Sequence, residues 1–241
     1  MILVIATSTG FRYHGLMEEF HRTVRSYVIR AARLTPGQKR ALDELYPVFG
    51  VPFPPAPDLR ELFPSSHRHV VEIGFGNGEA TLEIAKAFPE TGFLGLEVHP
   101  PGVGHILNEI RKEGLGNLRV LKHDAVEVVG ALPEGSVDAF HVFFPDPWPK
   151  KKHHKRRLLR TPFLSELARV LKPGGVFYFA TDWEEYAEEV LGALTALPVF
   201  ENSFETWATG VAWRPSTRFE RRGLLEQRPI RELQFQKRRA P

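Results

Sequence analysis

Residues 69–79 read His69-Val70-Val71-Glu72-Ile73-Gly74-Phe75-Gly76-Asn77-Gly78-Glu79, an apolar run that ends in glycines at alternate positions. The run has the length of one buried strand, and the residues after Glu79 fall at once into helical spacing. The glycines therefore occupy a strand-to-helix turn. Glycine lets the backbone turn tightly there and approach a ligand that a Cβ would hold off. An ordinary tight turn is the plain alternative. No Gly-Lys-Ser/Thr follows, which removes the phosphate-cradling P-loop, and Glu79 stands where a dinucleotide fingerprint carries its third glycine. A carboxylate at a helix start repels pyrophosphate, so the turn suits a ligand without phosphates.

Outward from this turn, apolar runs alternate with helical periods. Residues 80–88 are helical, 93–98 extended, 103–112 helical, and 118–122 and 139–144 extended. Phe163, Leu164, Leu167, Ala168 and Leu171 then mark a helix, residues 176–180 a strand and 183–197 a helix. This alternation predicts an α/β fold, a parallel sheet with helices on both faces. Lys172-Pro173-Gly174-Gly175 reads as a helix stop and turn before the next strand.

In open α/β sheets, ligands bind beyond the carboxyl ends of the strands. Glu97 ends the second strand, roughly 20 residues past the glycines, where a carboxylate accepts from ribose hydroxyls. Asp124 ends the third strand, within reach of an adenine amino group, and Asp146 follows the fourth. Each alone reads equally as a surface carboxylate. With Glu72 and Gly74, Gly76 and Gly78 beside them, they predict a site for S-adenosylmethionine, whose sulfonium and amino groups are cationic.

Composition narrows the setting. The 241 residues contain no cysteine, which excludes disulfide frameworks, thiolate zinc sites and thiol nucleophiles, and no metal is expected. The apolar start at residues 1–6 is too short for an export signal, and no run reaches the ~18 apolar residues of a membrane span. A soluble, cytoplasmic protein without a membrane partner is expected. The net charge of +3 divides into +4 over residues 1–43, −8 over 44–149 and +7 over 150–241. Basic ends around an acidic middle suit a polyanion held by the ends, with solvated surface charge as the alternative. Six prolines between 46 and 64 read as a stiff linker. Ahead of it, Thr35 and Pro36 start a short helix in a basic arm. The expected organisation is an arm at 1–45, a linker at 46–64 and a catalytic domain at 65–241.

The fourth strand delivers Pro145-Asp146-Pro147-Trp148-Pro149-Lys150, and seven of the eleven residues from 150 to 160 are Lys or Arg. The prolines fix φ, so Asp146 is presented rigidly at the edge of the donor site. Lys150, Lys151, Lys152, Lys155, Arg156 and Arg157 read as contacts for a polynucleotide, or blandly as a solvated run.

Pro-Asp-Pro-Trp-x-Lys followed by a basic run, together with Gly95-Leu96-Glu97-Val98-His99-Pro100-Pro101-Gly102-Val103-Gly104, resembles the bacterial tRNA (guanine-46-N7) methyltransferases. Residues 25–30 and 33–38 resemble that family's N-terminal arm, and Thr217-Arg218-Phe219-Glu220 its C-terminal signature. The likeness runs from about Arg25 to Phe235. Residues 1–16 match no part of it, which makes Met17 a candidate start. Ala32, Arg218 and Gln227-Arg228 depart from its usual pattern.

The resemblance implies a Rossmann-like class I methyltransferase with a mostly parallel seven-stranded sheet. It implies tRNA as partner and S-adenosylmethionine as donor. Carried over by position, it assigns Glu72, Glu97, Asp124 and Asp146 to the donor, with Asp146 the active-site carboxylate. It assigns Lys150, Asp182 and Thr217, Arg218, Phe219 and Glu220 to the RNA. Asp182 has a helix N-cap as its bland reading. Trp148, Phe219 and Trp183 are candidates to stack on a splayed base. A methyltransferase acting on another RNA or a small molecule, and a non-catalytic RNA-binding module, are the competing functions.

Overall fold

The computed structural model describes residues 25–28 and 33–239. The readings of residues 1–16, Met17 and Ala32, and part of the arm motif at 25–30, lie outside the described residues. Among the described residues, the first elements are α1 (Pro36–Glu44) and the single-turn helices α2 (Tyr46–Phe49) and α3 (Leu59–Leu62). Strand and helix then alternate through β1 (Arg68–Ile73), α4 (Glu79–Ala87), β2 (Thr91–Leu96), α5 (Pro100–Glu113), β3 (Leu118–Leu121), α6 (Ala125–Ala131) and β4 (Val137–Phe143). A 3-10 turn (Lys151–Arg156), α7 (Thr161–Val170), β5 (Leu171–Thr181) and α8 (Glu184–Thr195) follow. The chain closes with β6 (Phe200–Asn202), α9 (Arg218–Leu225) and β7 (Arg231–Lys237).

The seven strands form one sheet in the order β3-β2-β1-β4-β5-β7-β6. The first five are parallel, while β7 runs antiparallel to both β5 and β6. This is the expected Rossmann-like α/β fold. Side chains alternate across each strand, so β4 sends Phe140 and Val142 into one apolar layer and Ala139 and Phe143 into the other. Burial on both faces is why these strands read as continuous apolar runs. Strand order reverses between β1 and β4, which opens a crevice beyond their carboxyl ends.

Two stretches differ from expectation. Lys172-Pro173-Gly174-Gly175 stops α7 but makes no free turn. It is absorbed into β5 as a bulge, where pairing shifts from Val137↔Leu171 to Ala139↔Val176 and Gly174 takes φ +80°. Side chains of β7 satisfy the carbonyls so exposed: Gln236 Nε2 donates to Gly174 O at 3.0 Å and Lys237 Nζ to Leu171 O at 2.8 Å. The proline-rich stretch 46–64 holds α2 and α3, because Pro47 falls in α2's first turn, where no amide donor is needed. Val51, Leu59 and Phe63 are buried, and Val51 N–H donates to Val120 O at 2.8 Å, which ties the stretch to the sheet beside β3.

Thr35 does cap α1: its Oγ1 accepts from Gln38 N at 3.2 Å, and its own N–H donates to Gln38 Oε1 at 2.9 Å. α1 then lies against α5 so closely that a Cβ on Gly104 would stand 2.8 Å from Gln38 O. Among the described residues, no helix is long and apolar enough to cross a membrane.

Candidate active site

After β1 the chain turns through Gly74, Gly76 and Gly78 at φ +76°, +61° and +80°, the left-handed region that glycine enters without strain. α5 packs directly on this turn: a Cβ on Gly102 would stand 2.1 Å from Gly76 O, and one on Gly78 would stand 2.4 Å from Ile106 Cδ1. Glu97, just past β2, grips the turn from the other side. Its Oε2 accepts from Gly76 N at 2.9 Å, and its Oε1 accepts from Val98 N at 2.7 Å and His99 N at 2.9 Å. Burial raises the Glu97 pKa, and these amides oppose the shift.

Glu72 is only 3% exposed, and burial pushes its pKa up to about 8; the Thr81 hydroxyl beside it opposes the rise, and the charge of Glu97 adds to it. Its Oε2 has no hydrogen-bond partner among the described residues. A buried, unpartnered carboxyl oxygen is costly unless a donor or cation completes it. Asp124 serves α6 as N-cap, with Oδ1 accepting from Val126 N at 2.9 Å. It is thus half-buried and engaged at a helix start, rather than the solvated surface carboxylate of the alternative reading.

These elements enclose a cleft of about 730 Å³, a volume suited to a small-molecule ligand. Glu72, Gly74, Gly76, Gly78, Glu97, Asp124 and Asp146 all line it. The structure thus gathers the whole predicted donor set around one space. It adds Tyr27 and Phe144, which the sequence reading missed. Tyr27 lines the cleft from the arm, with its pKa raised by burial and by Asp124. Phe144 sits at φ +49°, directly before the first proline of the loop. A bulky residue held in that region at a strand end marks a strained, over-determined position.

The proline loop carries Asp146 to the cleft's edge. Trp148, at φ +47°, donates from Nε1 to Ser26 O at 3.1 Å, and Arg156 stacks over its ring at 4.9 Å. Lys150, Lys151, Lys152 and Lys155 are exposed, and Arg156 is half-buried on Trp148. Arg157 corrects the expectation of an RNA-facing side chain. Its guanidinium is wholly buried, paired with Glu189, and donates from Nε to Pro147 O at 2.9 Å. It faces inward because α8 supplies both a carboxylate and the Tyr186 ring beneath it.

The C-terminal signature is a helix start. Thr217 Oγ1 accepts from Glu220 N at 3.1 Å, and Glu220 Oε2 accepts from Thr217 N at 3.3 Å, a reciprocal capping box for α9. The Thr-x-x-Glu spacing already carried that signal. Burial acts to raise the Glu220 pKa, but ion pairing with Arg214 at 2.7 Å outweighs it and leaves the carboxylate below its usual range. Thr217, Arg218 and Phe219 line the cleft, whereas Glu220, Asp182 and Lys150 are not among its lining residues. Phe219 is 57% exposed and stacks on Phe144, with centroids 6.4 Å apart at 20°. Of the three candidate stacking rings it is the open one, since Trp183 packs on the core and Trp148 is engaged with Ser26.

Asp182 is not a helix cap. Thr181 Oγ1 accepts from Trp183 N at 3.2 Å, while Asp182 pairs with Arg228 at 2.9 Å. A Cβ on Gly223 would stand 2.8 Å from Asp182 Cβ, so Asp182 forms the seat of α9. Among the described residues, no group of three or more His, Asp or Glu side chains is arranged to hold a metal ion.

A family model described as "Putative methyltransferase" matches residues 66–233. The tRNA (guanine-N(7)-)-methyltransferase of Burkholderia vietnamiensis is 49% identical over 223 residues, covering 91% of this chain and 87% of its own. The chain belongs to the tRNA (guanine-N7)-methyltransferase family. The family's protein from Neisseria meningitidis serogroup A is 46% identical over 221 residues, covering 91% of this chain and 93% of its own. Among solved structures, the antibiotic-resistance methyltransferase Kmr covers 76% of this chain and 93% of its own, at a TM-score of 0.54 and 18% identity. The 16S rRNA methyltransferase KamB covers 74% and 92%, also at 0.54 and 18%. At that identity the likeness speaks for the fold, which this chain shares with them.

Proposed function

We propose that the protein transfers a methyl group from S-adenosylmethionine to N7 of a guanine in tRNA, at position 46 of the variable loop. The observation that carries this reading is the cleft between the glycine and proline loops, lined by the five carboxylates of Glu72, Glu79, Glu97, Asp124 and Asp146 in a chain of this family. The unpartnered Glu72 oxygen fits a donor that bears positive charge. Three amide hydrogens already reach the Glu97 oxygens, yet a carboxylate has about four acceptor sites, so capacity remains for a ribose hydroxyl. Asp124 serves the adenine end, and Gly74, Gly76 and Gly78 leave room for close backbone approach.

Bound in this cleft, S-adenosylmethionine supplies an electrophilic methyl on its sulfonium. Guanine N7 offers a free lone pair, so no side chain has to remove a proton first, in keeping with a chain without cysteine and with no hydrogen-bonded Ser-His pair among the described residues. The work of the chain is alignment. Phe219 offers an open aromatic face at the cleft mouth for the splayed base. Asp146 holds the guanine's N–H edge and stabilises the positive charge that it gains on methylation. Arg218 lines the same mouth, and the exposed Lys150, Lys151, Lys152 and Lys155, with Arg156 beside them, carry the phosphate contacts. Asp182, Thr217 and Glu220 act by fixing α9 and thereby Phe219 and Arg218. A tRNA substrate makes the cytoplasm the site of action.

The test is incubation of an unmodified tRNA transcript with methyl-labelled donor, followed by nucleoside mass spectrometry. The expected result is a single 7-methylguanosine, absent when adenine replaces that guanine. Label on another base, or on none, overturns the proposal.

A further inference from the structure

Proline has no amide hydrogen, so Pro145-Asp146-Pro147-Trp148-Pro149 has only the backbone N–H groups of Asp146 and Trp148 to offer. A loop so poor in donors is not held by a backbone ladder, and its carbonyls must be gripped from outside. Among the seven Lys and Arg of residues 150–160, Arg157 is the one whose side chain is buried, at 0% exposure. Its Nε donates to Pro147 O at 2.9 Å, one residue from Asp146. Its Nη1 pairs with Glu189 and lies 3.7 Å from Glu185 Oε1, its Nη2 stands 3.2 Å from His154 Nε2, and its plane covers the Tyr186 ring at 4.9 Å. Tyr186 itself is fixed, since its hydroxyl accepts from Leu159 N at 3.0 Å. A guanidinium fork used in this way is committed to the protein interior.

We propose that Arg157 is a positioning residue for methyl transfer: with Glu189 it clamps the Pro147 carbonyl and so fixes Asp146 at the cleft's edge, without touching the polynucleotide. The clamp runs from α8 through the guanidinium to the loop, and it replaces the backbone donors that the prolines removed. The inference rests on Asp146 being the active-site carboxylate.

The test compares wild type with Arg157→Lys, which keeps a positive charge but loses the fork, and with Glu189→Gln. Three quantities are read: kcat and KM for tRNA, the salt dependence of tRNA binding, and hydrogen exchange of the Asp146 and Trp148 amides. For Arg157→Lys the expected result is a kcat lower by about ten- to a hundredfold, the cost of misplacing a reacting group by about an ångström. KM and the salt slope stay unchanged, and the loop amides exchange faster. Glu189→Gln moves kcat and exchange in the same direction by less; its carboxylate is partly exposed, so it carries the comparison if Arg157→Lys does not fold. A salt slope reduced by roughly 0.7 to 0.9 with kcat retained would make Arg157 a phosphate ligand and overturn the proposal. Unchanged kcat with unchanged exchange overturns it as well. A wild-type protein that leaves tRNA unmethylated removes the underlying reading instead, and the exchange data still report whether the clamp exists.

Discussion

The glycine loop after β1 and the proline loop after β4 leave neighbouring parallel strands and bring carboxylates to one cleft by opposite means. In the first, left-handed glycines keep their amides as donors: Gly74 N–H reaches Leu96 O and Gly78 N–H reaches Phe75 O, each at 2.8 Å, and Gly76 N–H orients the Glu97 carboxylate. In the second, prolines fix the backbone and remove amides, and a buried guanidinium takes the carbonyl instead. The glycine loop is wedged by α5 and fails by steric intrusion. The proline loop is clamped by α8 and fails by loss of a partner. A site can therefore be preorganised through its backbone donors or in spite of lacking them, and the two routes are sensitive to different substitutions.

The largest effect is expected at the tip of the proline loop. Asp146→Ala is predicted to lower single-turnover methyl transfer by on the order of 10² to 10³-fold while the melting temperature stays close to wild type. Near-normal turnover in that variant would take Asp146 out of the mechanism.

The contrast between the loops is sharpened by a pair of alanines. Gly78→Ala combines φ +80° with a Cβ 2.4 Å from Ile106 Cδ1, so denaturant unfolding should report a loss of about 1–3 kcal/mol and weaker donor binding. Pro147→Ala keeps the clamped carbonyl and should cost less than about 1 kcal/mol. Equal losses at the two positions would erase the distinction between wedged and clamped.

A smaller effect is expected from Glu72, buried beside the glycine loop. With its pKa pushed up to about 8, Glu72 is neutral at pH 7 in the donor-free protein. A cationic donor binds the ionised form better, so affinity should rise with pH, by at most about tenfold per unit, and level off above pH 8. The stability linkage has the opposite sign. The fold favours the protonated acid, so this group's contribution weakens as pH climbs from the ordinary carboxyl range towards 8. Glu72→Gln should flatten the affinity profile in calorimetric titration and gain melting temperature over wild type across that window. A profile in the variant as steep as in wild type would assign the proton to another group.

The smallest effect concerns the exposed side of the basic run. Neutralising Lys152 and Lys155 together should reduce the salt slope of tRNA binding by roughly 0.7 to 0.9 for each phosphate they neutralise, with little change in kcat. An unchanged slope would put these lysines off the RNA path.

The parallel half of the fold and the acidic rim were legible in the sequence for one reason. Strands buried on both faces read as unbroken apolar runs, and their ends are marked by Glu72, Glu97, Asp124 and Asp146. β7 was not read, although Leu233 and Phe235 alternate with polar residues at period two. Its charged neighbours and single buried face hid it among the basic C-terminal residues. The bulge at Lys172-Pro173-Gly174-Gly175 was legible as a break but not as part of a strand, because the side chains that satisfy it come from Gln236 and Lys237. The capping box of Thr217 and Glu220 was local and readable from its spacing. The inward turn of Arg157 and the seating of α9 on Asp182 were not, since both depend on side chains more than thirty residues away that only tertiary packing brings near.

The central claim is that one acid-rimmed cleft, between a glycine loop and a proline loop, holds the methyl donor. A crystal structure with S-adenosylhomocysteine bound tests it most directly. The account predicts the ligand in that cleft, a ribose hydroxyl on Glu97, its adenine beside Asp124 and its sulfur towards Asp146. Ligand density elsewhere on the molecule, with Glu97 and Asp124 left untouched, would contradict it.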